Sequence, residues 1–166
     1  MSKKEITILA ILGGLILCAV VGIFIASACN QPDVIVNPFV PPAFDSAAQR
    51  GEPANVPAEL AYGVLALRDD AMVAMCANVL LEGDSAVLYL TSKSTNHGWI
   101  RVKLLDEAGN LLGESGLLRP GEYVRSVALS TVPPSGTMVQ VKILVYEPDT
   151  YVSIGSASAQ VRLFGA

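Results

Sequence analysis

"MVQVKILVY", residues 138–146, places Val139, Val141, Ile143 and Val145 on one side of an extended chain and Gln140 and Lys142 on the other. That period of two predicts a β-strand with one buried face. Upstream, Ile100, Val102 and Leu104 alternate in the same way with Arg101 and Lys103. Working outward, short runs separated by turn residues predict strands over 61–67, 72–81, 85–92, 99–105, 111–117, 122–130, 137–146 and 151–164, the last interrupted. No helical periodicity of useful length occurs in this half. Seven or eight short strands in about 105 residues predict an all-β antiparallel sandwich over residues 60–166.

Two turns order the middle of that region. "DEAGN" (106–110) predicts a hairpin in which Gly109 supplies the left-handed backbone. "RPGE" (119–122) puts Pro and Gly at the central positions of a type II turn. "LLGESGLLRPGEYV" (111–124) therefore reads as a link between strands and not as a site.

The stretch "IRVKLLDEAGNLLGESGLLRPGEYVRSVAL" (100–129) resembles the middle of FxLyD-type immunoglobulin-like domains: strand, acidic-Gly turn, strand, "L-x-PGE" turn, strand. "ESGLLRPGEYVRSVAL" together with "YEPDTYVSIGSA" (146–157) is similar to small membrane-anchored extracytoplasmic proteins of Gram-positive bacteria. The resemblance covers residues 60–166. It implies an immunoglobulin-like sandwich and no catalytic residue.

The chain has 166 residues, 52% hydrophobic and 16% charged. Soluble domains average about 25% charge. Much of the bias comes from Ile6 to Ala26, 21 residues without a charge or a polar face. As a helix this run would span about 31 Å, the thickness of a hydrocarbon core. Lys3 and Lys4 precede it, so the positive-inside tendency puts residues 1–5 in the cytoplasm and everything after the 6–29 helix outside. The exported part carries nine basic and fourteen acidic residues, which gives no reason to expect nucleic-acid binding.

Three fates compete for this segment. It stays as an uncleaved anchor; or it is cut as a lipoprotein signal, with Cys29 lipidated in "ASAC" (26–29); or it is cut after the small-residue site Ala26-Ser27-Ala28. Its length exceeds that of a signal-peptide core. Ala10, Gly14, Cys18, Gly22 and Ala26 recur every four residues, a small-xxx-small surface for self-association or partner packing in the membrane. Cys76 is the one cysteine of the exported domain. It is read as a buried, unpaired thiol, with a Cys29–Cys76 bridge as the alternative.

Residues 30–59 hold six of the ten prolines and predict an extended extracellular stalk, about 90 Å long if fully drawn out. Within it "DVIVNPFV" (33–40) is apolar and β-prone, suited to add as an edge strand to its own domain or to a neighbour's.

Residues with chemistry are few. His97 stands alone in a polar loop, "STNHGW" (94–99). Ser115 in "GESG" lacks the spacing of a nucleophile elbow. Asp69-Asp70 and Asp106-Glu107 match no calcium loop and read as turn caps. No catalytic, cofactor-binding or metal residue is expected, and no small-molecule substrate. The candidates for a binding surface are aromatic: Trp99, Tyr123, Tyr146 and Tyr151, the last two bracketing the acidic "EPDT" turn (147–150). Rings that merely cover the end of the core are the alternative. The expected function is a binding or structural module of the cell envelope, working through protein–protein contacts. A surface filament subunit assembled by strand exchange through 33–40 is the second expectation.

Overall fold

The alternation of residues 138–146 is realised in full: Val139, Val141, Ile143 and Val145 are all at most 2% exposed, and Gln140 faces solvent. The computed structural model describes residues 39–68 and 71–165. The chain divides after Phe39, and every element below belongs to the unit Val40–Ala166. Its strands are β1 (Gln49–Arg50), β2 (Tyr62–Arg68), β3 (Ala71–Cys76), β4 (Asn78–Glu82), β5 (Ser85–Ser92), β6 (Trp99–Leu105), β7 (Leu111–Glu114), β8 (Glu122–Ala128), β9 (Met138–Tyr146) and β10 (Ser153–Gly165). One 3-10 turn, Ala58–Leu60, precedes β2.

These strands form one mixed, curled sheet in the order β1-β8-β5-β4-β10-β9-β6-β7, with the β2–β3 pair attached to β5 through β3. The expectation of a wholly antiparallel arrangement is corrected at one ladder. β10 runs parallel to β4, from Arg162↔Asn78 to Gly165↔Leu81. The cause lies at Ala77. A single strand was expected over 72–81, but the chain splits there: β3 pairs with β2 and β5, and β4 pairs with β5 and β10. The change of partner follows from curvature, since one straight strand cannot keep both neighbours of a sheet that bends away. The last strand, expected to be interrupted, is continuous from Ser153 to Gly165 apart from a register shift between Ser153 and Gly155.

Curling brings the two ends of the sheet together. Gly113 on β7 bridges Leu129 beyond β8, and a Cβ at Gly113 would overlap the Ala128 carbonyl oxygen. One apolar core results, drawing Val73, Leu88, Val102, Leu104, Ile143 and Leu163 from five strands. Each side chain so buried contributes about 1.5–3 kcal/mol relative to exposure. A smaller cluster of Leu60, Cys76 and Val87 lies apart, with Tyr62 and Tyr89 packed against it. Every buried side-chain nitrogen and oxygen among the described residues has a hydrogen-bond partner.

Both predicted turns form. In the β6–β7 hairpin, Gly109 has φ +85°, and the Asp106 carboxylate accepts from the Asn110 N–H at 2.7 Å and its amide at 2.8 Å. Those donors, the Asn110 amide foremost, hold the Asp106 carboxyl below the ordinary carboxylate range. At 119–122, Gly121 has φ +77° and the Glu122 N–H donates to the Arg119 carbonyl at 3.1 Å.

The Pro-rich run departs from the expectation of a stalk reaching residue 59. Phe44 bridges Leu117 in parallel; the Leu117 N–H donates to the Ala43 carbonyl at 2.9 Å, and the Asp45 N–H to the Leu117 carbonyl at 3.0 Å. Gln49 and Arg50 then pair with Tyr123 and Glu122. Proline cannot donate, so the bonds are made by the residues between Pro42 and Pro53, with Pro41 and Pro42 before these contacts and Pro53 and Pro57 after them. Of the strand-prone segment 33–40, residues 33–38 lie outside the described residues; Phe39 and Val40 are exposed and outside any strand. The segment 6–29 expected to be a helix, with Cys29 and the stripe Ala10, Gly14, Cys18, Gly22 and Ala26, also lies outside the described residues. Among the described residues no helix is long and apolar enough to cross a membrane.

Candidate binding surface

Four chain segments meet around the single tryptophan. Trp99 opens β6, and Gly98 before it admits the β9 backbone: a Cβ there would lie 2.8 Å from Val145 Cγ1 and 2.9 Å from the Tyr146 carbonyl oxygen. Trp99 is the register partner of Tyr146. Its ring meets that of Tyr151 edge-on, centroids 4.9 Å apart, and that of Phe44 at 4.8 Å. On the Phe44 ring sits the Arg119 guanidinium, 3.6 Å from the centroid. The Arg119 N–H and guanidinium in turn bind the Glu122 carboxylate, at 2.8 Å and 3.4 Å. A continuous stack thus runs Glu122–Arg119–Phe44–Trp99–Tyr151. It ties the N-terminal strap, β6, the β9–β10 turn and the 119–122 turn to one another.

The turn that delivers Tyr151 is itself fixed. The Tyr151 N–H donates to the Glu147 carbonyl at 2.9 Å, the Thr150 hydroxyl donates to the Glu147 carboxylate at 2.7 Å, and the Val152 N–H donates to the Thr150 hydroxyl oxygen at 3.2 Å. Tyr151 adopts φ +56°, a conformation that side chains other than glycine rarely take. Its ring contact with Trp99 is the compensating interaction.

Of the four aromatics picked from sequence, Trp99, Tyr146 and Tyr151 are therefore brought together, all half-buried. Tyr123 is not among them: its hydroxyl donates to Gln49 Oε1 at 2.7 Å on the β1–β8 pair. Sequence reasoning missed Phe44 and Arg119. The available signal was an aromatic directly after Pro41-Pro42-Ala43, where a free stalk has no use for one. It also missed Tyr62, whose hydroxyl donates to Thr91 Oγ1 at 2.7 Å and is shifted up by burial.

The other singled-out residues have structural places. His97 is exposed in its loop. Ser115 is buried, and its hydroxyl accepts the Val102 N–H at 3.0 Å. Asp69 and Asp70 lie outside the described residues. Cys76 is a buried thiol, pushed up to about 11 by desolvation. No group of three metal-ligating side chains converges among the described residues.

Exposed apolar surface gathers elsewhere. Among the described residues β2 pairs on one side only, with β3, and it shows Val64 at 58% and Leu65 at 39% exposure. Arg68 at its end donates to the Ile154 carbonyl of β10 at 2.7 Å. Ile154 and Val152 are exposed there as well. A cleft of about 230 Å³ between the two strands is lined by Leu65, Met75, Ala159 and Val161. No protein-family model matches the chain, and no curated protein matches it.

Proposed function

We propose that the chain is a binding or structural module of the cell envelope, an immunoglobulin-like sandwich held outside the membrane by its N-terminal segment and acting through protein–protein contacts. The hand-over from β3 to β4 supports the sandwich. Along one side of β5 it puts β4 at Ser85–Val87 and β3 at Thr91–Ser92, so that the sheet can fold over there, and it lays β4 parallel to the last strand. The uncharged run Ile6–Ala26 supports the anchor.

The observation that carries contact with another protein is β2. It is a strand of seven residues, paired on one side among the described residues, with Val64 and Leu65 turned to solvent. Soluble domains usually blunt such an edge with charge or proline, and strand addition is a common use for one left bare. A photo-crosslinking residue at position 64 of the full chain in membranes should give a discrete protein adduct. The same residue at the exposed position Asp84 should give none. No adduct at 64, or equal yields at both, would count against the proposal.

The bare edge also favours a second reading, a filament subunit in which residues 33–40 of one copy add to a neighbour. Detergent-resistant polymers that vanish on deleting 33–40 would select it over contact with a different protein.

A further inference from the structure

The outward face of β10, β9, β6 and β7 concentrates positive charge in a chain whose net charge is −4. Lys103 and Lys142 are direct register partners. The row across the strands reads Glu114, Lys103, Lys142, Ser158, and the next row has Arg101, Leu144, Ser156. Like charges opposite each other across two strands repel. One carboxylate serves two of these three cations: Glu114 lies 2.5 Å from the Arg101 guanidinium and 3.6 Å from Lys103 Nζ, while Lys142 forms no ion pair among the described residues. Elsewhere Arg125, Lys93 and Arg119 each have a carboxylate of their own in Glu82, Glu52 and Glu122.

The borders of this patch set the shape of its occupant. Ser156, Ser158 and Gln140 are exposed and short or neutral, so the face offers no wall around the lysines. Half-buried Leu144 and Tyr146 continue it toward Trp99. On the opposite side Asp106 and Glu107 line a cleft with Gln140 and Gln160, and would repel an anion that spread that way. Lysines about 5 Å apart beside half-buried apolar carbon suit carboxylates alternating with apolar or aromatic side chains. A uniformly charged phosphate chain would leave Leu144 and Tyr146 unused.

We propose that this face docks an extended acidic segment of a partner polypeptide, with its carboxylates on Lys103, Lys142 and Arg101 and its apolar side chains on Leu144 and Tyr146. The proposal rests on the protein–protein reading above, but uses a different surface from the β2 edge.

The test measures fluorescence anisotropy of a labelled Glu–Tyr copolymer titrated with the full chain in nonionic detergent, with inorganic polyphosphate of matched charge as the comparison. The wild-type chain should bind the copolymer and prefer it to polyphosphate. Lys142→Gln should weaken binding severalfold, and Lys103→Glu with Lys142→Glu roughly tenfold or more. Lys93→Gln, on another part of the surface, should leave it unchanged. Lys142→Gln relieves a repulsion, so its melting temperature should not fall, and this keeps the test valid if the double variant folds poorly. No copolymer binding, equal binding by Lys142→Gln, or stronger binding of polyphosphate would each overturn the proposal. A discrete adduct at position 64 alongside any of these would leave the protein–protein reading standing.

Discussion

Gly116 and Asp45 meet backbone to backbone. The Gly116 N–H donates to Asp45 Oδ2 at 2.9 Å, and a Cβ on Gly116 would overlap the Asp45 Cα and nitrogen. Asp45 Oδ1 also accepts the Ala47 N–H at 2.9 Å. A carboxylate that terminates two backbone donors, opposite a residue with no side chain, is what holds the Pro-rich strap on the sheet. Gly116→Ala should therefore lift Ala43–Asp45 and cost about 1–3 kcal/mol. Urea denaturation measures the cost. Unchanged stability would mean that the strap is not held at this point.

The Phe44 ring lies between Trp99 and Arg119. Phe44→Ala should cost about 2 kcal/mol from the lost ring pair and cation–π contact. It should also shift the emission of the single tryptophan to longer wavelength as water reaches Trp99. Arg119→Ala should move the emission less, because it leaves the Phe44–Trp99 contact in place. The reverse order would show that the strap is held by the Arg119–Glu122 pair and not by the rings.

Two glycines separate backbone strain from crowding. Gly109 has φ +85° with nothing near its missing Cβ, so Gly109→Ala should cost about 1 kcal/mol through the left-handed conformation alone. Gly113 has an ordinary φ, but its Cβ would strike the Ala128 carbonyl oxygen and approach Leu129 Cδ2 to 3.1 Å. Gly113→Ala should cost about 2–3 kcal/mol and loosen the closure of the sheet. Comparing the two denaturation midpoints checks the order.

Burial pushes the Cys76 thiol up to about 11, above the value near 9 of a free thiol. The neutral form is favoured in the folded chain. The contribution is therefore complete below about pH 9 and is lost as pH rises toward about 11. Folding free energy measured against pH should fall across that window, and fall less in Cys76→Ala. Tyr62, shifted in the same direction, supplies the decline that persists in the variant.

Much of the fold was legible because a half-buried strand writes its own period. β6 and β9 could be read residue by residue from the alternation at 100–104 and 139–145, and Gly109 and Gly121 stand where left-handed backbone was expected. The candidate surface was legible only in part. Trp99, Tyr146 and Tyr151 could be picked as aromatics at strand ends, but their partners Phe44 and Arg119 lie far from Trp99 in sequence.

Local physics, side-chain alternation and the φ preferences of Gly and Pro, was sufficient in the sequence to determine an all-β domain, its turns and most of its strand boundaries. Tertiary structure decided what depends on which strand lies beside which. The division of 72–81 at Ala77, the parallel β4–β10 ladder and the docking of the Pro-rich strap all come from a sheet that curls around one core. So does the pairing of Lys103 with Lys142, thirty-nine residues apart along the chain, which no local pattern encodes.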